Sequence, residues 1–294
     1  MSIRHLRIFI MVANCGKMSL AAEKLFITQP SVSQAIKELE EYYKVKLFER
    51  LSKKLFITES GKLLLNYANH IISSFDDMEV ELKSKGEKLS INIGSSITVG
   101  TCMLNNIINN FLDENKEIET TVIINNTEKI EEMILNSKLD VAIVEGVIAN
   151  KDLITRPIYN DKLIIVAGKK HKFYNKGEIS IIELMGEDFI SREEGSGSRK
   201  IFDEILKRNN IKVNNKWIST DTEAIKNAVI DGKGLGVLST MIVDKQLENK
   251  TLNKVVLKEV EMFRQIYLVY HKNKYMSEQM VEFLKLFNTK NKSN

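Results

Sequence analysis

The sequence predicts an α/β fold that is preceded by a separate, mainly helical N-terminal module. The chain has 294 residues, which is enough for about two or three domains with a core in each. In the first part of the chain, apolar side chains recur at helical spacing in short segments, whereas strand-like and helix-like segments alternate from Leu89 onward. Because the sequence holds only 14 Gly and 2 Pro, we expect no long flexible linker between the domains.

Composition narrows the class of protein. Apolar residues make up 43% and charged residues 28% of the chain, as in ordinary globular proteins. The N-terminus carries no signal-peptide core, and no apolar run is long enough to span a bilayer, so we expect a soluble, cytoplasmic protein without a membrane partner. The two cysteines, Cys15 and Cys102, are too few for a disulfide framework, and the histidines are scattered. The sequence therefore predicts neither a metal site nor a cofactor.

The net charge of +4 is concentrated at the N-terminal end. Residues 1–60 hold 10 basic and 6 acidic side chains, whereas the rest of the chain holds 33 of each. A chance asymmetry on a solvated surface would look similar, because the excess is small. If the protein has a module that faces phosphate, we expect it in residues 1–60.

Three helices are predicted in this N-terminal module. Apolar spacing places them around residues 6–13, 19–25 and 29–41. Thr28 is a good N-cap for the third helix, and Pro30 suits its first turn. This helix would bury Val32, Ile36 and Leu39. Its opposite face presents short hydrogen-bonding side chains and one cation, which suits a helix that lies in the major groove of DNA.

Two short strands, 45–50 and 55–58, are predicted around the basic turn 51–54. Such a wing beside the recognition helix would contact phosphate. Together, helix and wing give these candidate DNA-binding residues: Thr28, Gln29, Pro30, Ser31, Ser33, Gln34, Lys37, Arg50, Lys53 and Lys54.

Several linked motifs run through the same residues in a fixed order. They are Ala21-Ala22-x-x-Leu25, Thr28-Gln29-Pro30-Ser31-Val32-Ser33, Ile36-x-x-Leu39-Glu40, Leu47-Phe48-x-Arg50 and Thr58-x-x-Gly61. This set resembles the winged helix-turn-helix of LysR-type transcriptional regulators, and the resemblance implies a double-stranded DNA operator as partner. Lys44 departs from the family, which usually has Gly at this position. Lys would be strained in the left-handed conformation of a helix C-cap, whereas Gly adopts it freely.

A heptad seam of apolar residues follows and predicts a long helix over 61–87. The seam consists of Leu64, Ala68, Ile71, Phe75, Met78 and Leu82. It has two interpretations, namely a dimerisation helix or an amphipathic helix that packs on its own domain. The family resemblance implies the dimerisation helix of a homodimer or homotetramer. The predicted domains are therefore 1–60, 61–87 and 88–294.

The C-terminal half predicts an α/β domain with a mostly parallel sheet. The predicted strands are 89–94, 120–124, 141–144, 163–167, 189–191 and 265–270, and the predicted helices include 103–112, 129–135, 181–185 and 198–208. A further helix would open at Thr220, which stands at capping-box spacing from Glu223, and close at Gly232–Gly236. The last strand would return to the first subdomain, so that the chain crosses between the two subdomains twice and the two crossings form a hinge. Such a module resembles the two-lobed, periplasmic-binding-protein-like effector domain of the same family, with lobe I at 88–161 and 266–294 and lobe II at 162–265.

Two hydroxyl-rich loops, Gly94–Thr101 and Ser191–Arg199, are expected to face each other across the cleft between the lobes. Each loop leads into a helix N-terminus, and its hydroxyls and glycines suit a carboxylate, sulfate or phosphate. Each loop alone could equally be an ordinary cap and turn. The pair predicts a small anionic metabolite as effector, with Arg199 as its charged partner. The candidate effector-binding residues are Ser95, Ser96, Thr98, Thr101, Ser196, Ser198 and Arg199.

No catalytic signature is present in the sequence, so we expect no enzymatic activity. Cys102 lies near a helix start, where a thiol sensor and simple packing are both possible. The leading hypothesis is a DNA-binding transcriptional regulator that responds to a ligand. A solute-binding or transport component is one alternative, but it does not explain residues 1–60. An enzyme fused to a DNA-binding module is another, and it would need a clustered acid/base or cofactor motif.

Overall fold

The structure is a computed structural model that describes residues 1–51, 54–83 and 89–288. It contains two compact units, one formed mainly by residues before the break at 84–88 and one formed mainly by residues from Leu89 on. The predicted boundary at residues 87 and 88 lies outside the described residues. Each unit is described separately.

The N-terminal unit consists of three helices, a β-hairpin and a long fourth helix. These are α1 (Ile3–Cys15), α2 (Met18–Lys24), α3 (Gln29–Tyr43), β1 (Phe48–Leu51), β2 (Lys54–Ile57) and α4 (Glu59–Lys83). The strands pair antiparallel, with Phe48 opposite Ile57. Phe9, Val12 and Ile36 are buried in a shared core of the helices. The predicted winged helix-turn-helix is confirmed, and α3 extends two residues beyond its predicted end.

Helix α3 ends at Lys44 in the left-handed conformation, with φ 55° and ψ 35°. The Lys44 N–H donates to the Glu40 carbonyl, and the Val45 N–H donates to the same oxygen at 3.2 Å. The chain therefore makes the C-cap that the family builds with glycine, although an L-residue in this conformation costs about 1–2 kcal/mol.

The predicted heptad seam lies on helix α4, and its residues differ in exposure along the helix. Ala68 is fully buried in the core of its own unit, and Leu64 packs against the same core. The interpretation of Ala68 as a dimer contact is therefore not supported, because its apolar surface is already covered within the chain, whereas Leu64 is only partly covered. Farther along the helix, Ile71, Met78 and Leu82 are exposed. Leu63 and Tyr67, which are not part of the heptad seam, are also exposed and lie on the same face of the helix.

The C-terminal unit is an α/β module built on one large sheet. Its elements are β3 (Ser90–Ser96), α5 (Ile97–Cys102), α6 (Leu104–Glu114), β4 (Glu119–Asn125), α7 (Thr127–Leu135), β5 (Val141–Glu145), β6 (Leu153–Gly168), β7 (Glu178–Ile179), a 3₁₀ turn (Ile181–Leu184), β8 (Asp188–Arg192), α8 (Gly197–Arg208), β9 (Asn214–Ser219), α9 (Thr222–Ile230), β10 (Leu235–Ser239), α10 (Thr240–Glu248), β11 (Leu252–Leu257), β12 (Met262–His271) and α11 (Glu278–Lys285).

Two long strands connect the two lobes. The strand order is β4-β3-β5-β12-β6-β10-β8-β9, with β11 also paired to β6. Strands β4, β3 and β5 are parallel in one lobe, and β10, β8 and β9 are parallel in the other. Between them, β6 and β12 run antiparallel along the whole of β12. The two-lobed α/β class is confirmed, but the sheet is parallel only within each lobe, because the chain crosses the centre in opposite directions.

Two local predictions are corrected by the structure. Helix α9 is capped by Asp221 rather than Thr220, because the Asp221 carboxylate accepts from the N–H groups of Glu223 and Ala224. The segment Gly232–Gly236 does not simply close the helix, since Leu235 already begins strand β10. The first half of β6 and the elements α5, β7, β9, β10, β11, α10 and α11 have no counterpart among the predicted elements, and α5 replaces most of the predicted loop Gly94–Thr101.

Replacing Lys44 by Gly should stabilise the end of α3. Glycine removes the left-handed strain at the cost of extra flexibility in the unfolded chain, so the net gain should be about 0.5–1 kcal/mol. Hydrogen exchange of the last-turn amides of α3 measures this local free energy. As a matched control, Lys37→Gly in the interior of the same helix should lose about 1 kcal/mol. Equal losses in both variants would contradict a strained Lys44.

Candidate functional site

The first candidate site is the outward face of α3. Gln29, Pro30, Ser31, Gln34 and Lys37 are exposed, and Ser33 is half-buried. Thr28 caps the helix: its Oγ1 accepts from the Ser31 N–H at 3.4 Å and lies 2.8 Å from the Ser31 hydroxyl. The N-cap prediction is confirmed. The contact between the two hydroxyls ties the Ser31 hydroxyl, a candidate for reading base edges, to the cap.

A carboxylate that the sequence analysis missed lies on this face. Gln34 Nε2 donates to Glu38 Oε1 at 2.8 Å, and His5 Nε2 lies 2.8 Å from Glu38 Oε2. The hydrogen bonds from Gln34 and His5 lower the pKa of Glu38, so this carboxyl group stays ionised. The i,i+4 spacing of Gln34 and Glu38 is the signal that could have revealed the pair.

The hairpin is attached to α3 through Glu40. Glu40 accepts from the Leu47 N–H at 2.9 Å and from Lys46 Nζ at 2.7 Å. Burial opposes ionisation of Glu40, but the hydrogen bonds from Lys46, Leu47 and Phe48 outweigh it and lower the pKa. Arg50 is exposed on β1, with one guanidinium nitrogen 3.8 Å from the Met18 sulfur. Lys53 and the Lys54 side chain lie outside the described part of the chain.

The second candidate site lies in the C-terminal unit and is organised by Arg264, which the sequence analysis missed. Its side chain is fully buried. Nη2 donates to Thr98 Oγ1 at 3.1 Å, and Nη1 donates to Ser198 Oγ at 2.7 Å. One guanidinium thus joins a residue of α5 to a residue of α8. Arg264 lies between buried Met262 and Ile266 on the same face of β12. A charged residue at the i+2 position of an apolar face could have been recognised in the sequence.

Two buried carboxylates accompany Arg264. Nε donates to Asp161 Oδ2 at 2.6 Å, and Asp161 also accepts from the Ser239 hydroxyl at 2.7 Å. Glu145 Oε1 lies 3.4 Å from Arg264 Nη1. Burial, followed by the Asp161 charge, raises the pKa of the nearby Cys102 thiol, and Arg264 does not overcome this. A protonated thiol favours the packing interpretation of Cys102 over the sensor.

Three of the predicted effector residues turn their polar groups elsewhere. Ser95 Oγ donates to the Ser96 carbonyl, and Thr101 Oγ1 donates to the Ile97 carbonyl. Arg199 donates to the Arg192 carbonyl at 2.9 Å and pairs with Asp203 at 3.2 Å. These two bonds engage the Arg199 guanidinium with its own helix and with strand β8, although Arg199 lines the same cavity as Ser196. Arg264 is the cation bonded to the Thr98 and Ser198 hydroxyls.

The remaining two, Ser96 and Ser196, are buried N-caps whose hydroxyls do not cap their helices. Neither hydroxyl has a hydrogen-bond partner among the residues that the structure describes. The first-turn N–H groups of α8 also lack partners within the helix. A neighbouring cavity of about 540 Å³ lies between the two lobes and includes Thr127, Ser196 and Arg199 in its wall. Of the two unpartnered hydroxyls, that of Ser196 therefore belongs to a residue of the cavity wall, and an unpartnered donor at such a position can bind an oxygen of a small ligand.

Neither a metal centre nor a membrane span is found in the part of the chain that the structure describes. These ranges contain no group of three or more His, Cys, Asp or Glu side chains placed to hold a metal ion. They also contain no helix with the length and apolarity needed to cross a bilayer.

Known proteins resemble this chain in both units. The family model of the bacterial regulatory helix-turn-helix protein, lysR family, matches residues 3–62. The model of the LysR substrate binding domain matches residues 84–291. The HTH-type transcriptional regulator CysL of Bacillus subtilis (strain 168) is 30% identical over 292 residues, which cover 98% of this chain and 93% of that protein.

Solved structures show the same architecture. A full-length OxyR variant from Pseudomonas aeruginosa has a TM-score of 0.69 at 18% identity and covers 98% of this chain and 95% of that chain. The regulatory domain of CcmR from Synechocystis PCC6803, solved in complex with 2-PG, has a TM-score of 0.63 at 26% identity and covers 69% of this chain and 98% of that chain. With a DNA-binding helix-turn-helix followed by an effector-binding domain, and with relatives that are regulators rather than enzymes, this chain belongs to the LysR family of transcriptional regulators.

Proposed function

We propose that this regulator binds a double-stranded DNA operator through α3 and the hairpin, and that a small anionic metabolite in the cleft switches it. The observation that carries the ligand proposal is the pair of buried hydroxyls on Ser96 and Ser196, which have no partner among the described residues. These serines begin helices of different lobes. The CcmR regulatory domain, which was solved in complex with 2-PG, supports the proposal that this fold binds a small ligand.

The switch follows from the way the lobes are joined. Arg264 lies on a strand that crosses between the lobes and holds Thr98 and Ser198 through separate nitrogens. A ligand shifts a two-state equilibrium only by its different affinity for the two states. Ser96 and Ser196 can both contact one small ligand only where the lobes approach closely. Ligand binding would therefore favour the closed form of the cleft.

We further propose that α4 forms the contact between two copies of the chain. Its exposed apolar residues fall within about 100° of arc at 100° per residue. They are Leu63, Tyr67, Ile71, Met78 and Leu82. A stripe of this kind on a helix of 25 residues suits pairing with the same helix of a second copy. A dimer, alone or within a tetramer, would present two α3 helices to two operator half-sites.

The DNA assignment predicts different behaviour for Gln34 and Arg50. Gln34→Ala should relax specificity at one base position, because an amide on α3 reads base edges. Arg50→Ala should weaken binding to all sequences alike and lower the slope of log K against log salt by about 0.9, because Arg50 contacts phosphate. Salt titrations on a selected operator and on random duplex measure both effects. Lys233→Ala, at an exposed lysine of the C-terminal unit, is the control.

Two outcomes of the salt titrations would contradict this assignment of Gln34 and Arg50. If Gln34→Ala and Arg50→Ala lost the same affinity on operator and on random DNA, base reading could not be separated from phosphate contact. If Lys233→Ala lowered the slope as much as Arg50→Ala, the effect would report overall charge rather than the hairpin.

The assembly proposal predicts that Phe75→Glu dissociates the dimer. Phe75 is half-buried and adjoins the exposed stripe, so the substitution would place like charges from two chains in one apolar contact. Light scattering measures the mass. Asn66→Glu, at an exposed position of α4 about 60° outside the edge of the stripe, should leave the mass unchanged. A Phe75→Glu protein with unaltered mass would show that α4 does not form the interface.

The ligand proposal predicts that the Ser96 and Ser196 hydroxyls contribute to ligand binding and that the Thr101 hydroxyl does not. The sequence alone does not separate these three hydroxyls. In a thermal-shift screen of small carboxylates and oxyanions, a ligand at 100 times its Kd should stabilise the protein by about 2.7 kcal/mol. Ser96→Ala and Ser196→Ala should each weaken binding of the ligand found by about tenfold, the value of one hydrogen bond to a charged group. Thr101→Ala should have no effect, because that hydroxyl is bonded to Ile97. Loss of affinity in Thr101→Ala alone would contradict the assignment.

A further inference from the structure

The cleft contains an acceptor that the hydroxyl site leaves unused, the Glu145 carboxylate. Glu145 is 1% exposed and is the last residue of β5. Its Oε1 faces Arg264 at 3.4 Å, whereas its Oε2 has no hydrogen-bond partner among the described residues. A buried carboxylate oxygen without a donor is costly, so its position requires an explanation.

The backbone at Glu145 lies against the start of α8. A Cβ on Gly197 would lie 2.6 Å from the Glu145 carbonyl oxygen, and a Cβ on Gly146 would lie 3.0 Å from the Gly197 Cα. The Thr127 hydroxyl donates to the same Glu145 carbonyl at 2.9 Å. These close approaches tie the end of β5 to the helix that Ser196 begins.

The Glu145 carboxylate also shares a guanidinium nitrogen with the hydroxyl site. Arg264 Nη1 is the atom that faces Glu145 Oε1, and it is the atom that donates to Ser198 Oγ. The unpartnered Oε2 of Glu145 therefore belongs to the same small region as the two serine N-caps. An anion bound by those serines would meet a carboxylate as well as hydroxyl donors.

The charges of this region disfavour a fully deprotonated anion. Arg264 already faces two carboxylates, Asp161 and Glu145. Three cations, Arg199, Lys200 and Lys207, line the cavity that includes Ser196. They are outnumbered there by five acidic residues, namely Glu128, Glu131, Glu194, Asp203 and Glu204, and Arg199 pairs with Asp203 at 3.2 Å. A ligand that offers only acceptor oxygens would face Glu145 Oε2 without a proton between them, and in a buried site that repulsion is strong.

We propose that Glu145 makes the cleft selective for small oxyanions that carry a hydrogen on oxygen, such as hydrogen phosphate, protonated phosphomonoesters or bicarbonate. The ligand O–H donates to Glu145 Oε2, and the remaining ligand oxygens accept from the hydroxyls of Ser96 and Ser196. This inference rests on the proposed effector site, because it concerns the same cleft. A site built to accept a hydrogen bond rejects an analogue that lacks the donor, since the acceptor is then left unpaired.

Two pairs of probes with matched shape test the proposal. Phosphate and sulfate are both tetrahedral, and bicarbonate and nitrate are both planar, but at neutral pH only phosphate and bicarbonate carry a hydrogen. Calorimetric titration of the full-length protein at constant ionic strength measures all four affinities. Wild type should bind phosphate at least about tenfold more tightly than sulfate, and bicarbonate more tightly than nitrate.

The deciding variant is Glu145→Gln, in which an amide of the same shape can donate to the anion instead of requiring a donor. Its preference within each pair should shrink to about threefold or less, or reverse. Glu132→Gln, at an exposed position on α7, is the matched control and should keep the wild-type preference. Circular dichroism and operator binding verify that each variant is folded. If Glu145→Gln does not fold, the wild-type ratios still decide the proposal.

Each other outcome has a defined meaning. Equal or stronger wild-type binding of sulfate or nitrate, no binding of any of the four anions, or a preference that survives in Glu145→Gln overturns the role of Glu145. If Ser196→Ala then still weakens binding of the preferred anion by about tenfold, the anion site stands and only the proton requirement is wrong. If Ser96→Ala and Ser196→Ala leave every affinity unchanged, the proposed effector site itself fails.

Discussion

The C-terminal unit depends on one buried guanidinium. Arg264 lies on β12, and its three nitrogens are bonded to Asp161, Thr98 and Ser198. A buried cation is stable only when its donors are satisfied, and removal of one partner of such a pair costs about 3–5 kcal/mol. The acceptors come from β6, α5 and α8, so this one side chain restricts the positions of the crossing strands and of the helix starts that border the cleft. The Thr98 and Ser198 hydroxyls accept from Arg264, whereas the Ser96 and Ser196 hydroxyls have no hydrogen-bond partner among the described residues.

Close backbone approach places the rest of the site. A Cβ on Gly197 would lie 2.6 Å from the Glu145 carbonyl oxygen, and Gly146 adopts a φ of 109°. Gly195 has a φ of 84°, and the Glu128 N–H donates to its carbonyl at 3.3 Å across the cleft. Side chains at these glycines would hold the two strand ends apart. The proposed cleft is therefore narrow at its floor, which is consistent with a small ligand rather than a large one.

Local signals predicted the N-terminal unit well, and distant contacts explain what was missed elsewhere. The Thr28 cap and the buried residues of α3 follow from spacing within one helix, so the sequence alone could place them. The partners of Arg264 lie 166 and 66 residues away, and no local pattern identifies them. For the same reason the sequence could not show that Asp203 and the Arg192 carbonyl would both bond the Arg199 side chain, which leaves its role toward a ligand a prediction. Heptad spacing likewise could not distinguish Ala68, buried within its own unit, from the exposed Met78.

In the proposed switch, the number of contacts that the ligand itself adds determines how far it can shift the equilibrium between the open and closed forms of the cleft. Arg264 is bonded to Thr98 and Ser198 within the protein itself, so these bonds are not among the contacts that the ligand adds. The ligand gains only its own contacts, each worth about 1.5–3 kcal/mol when one partner is charged. Two serine contacts then supply about 3–6 kcal/mol, whereas moving a population from 1:99 to 99:1 needs about 5.5 kcal/mol. A third contact, from the ligand to Glu145, would bring the total to about 4.5–9 kcal/mol and make the switch nearly complete.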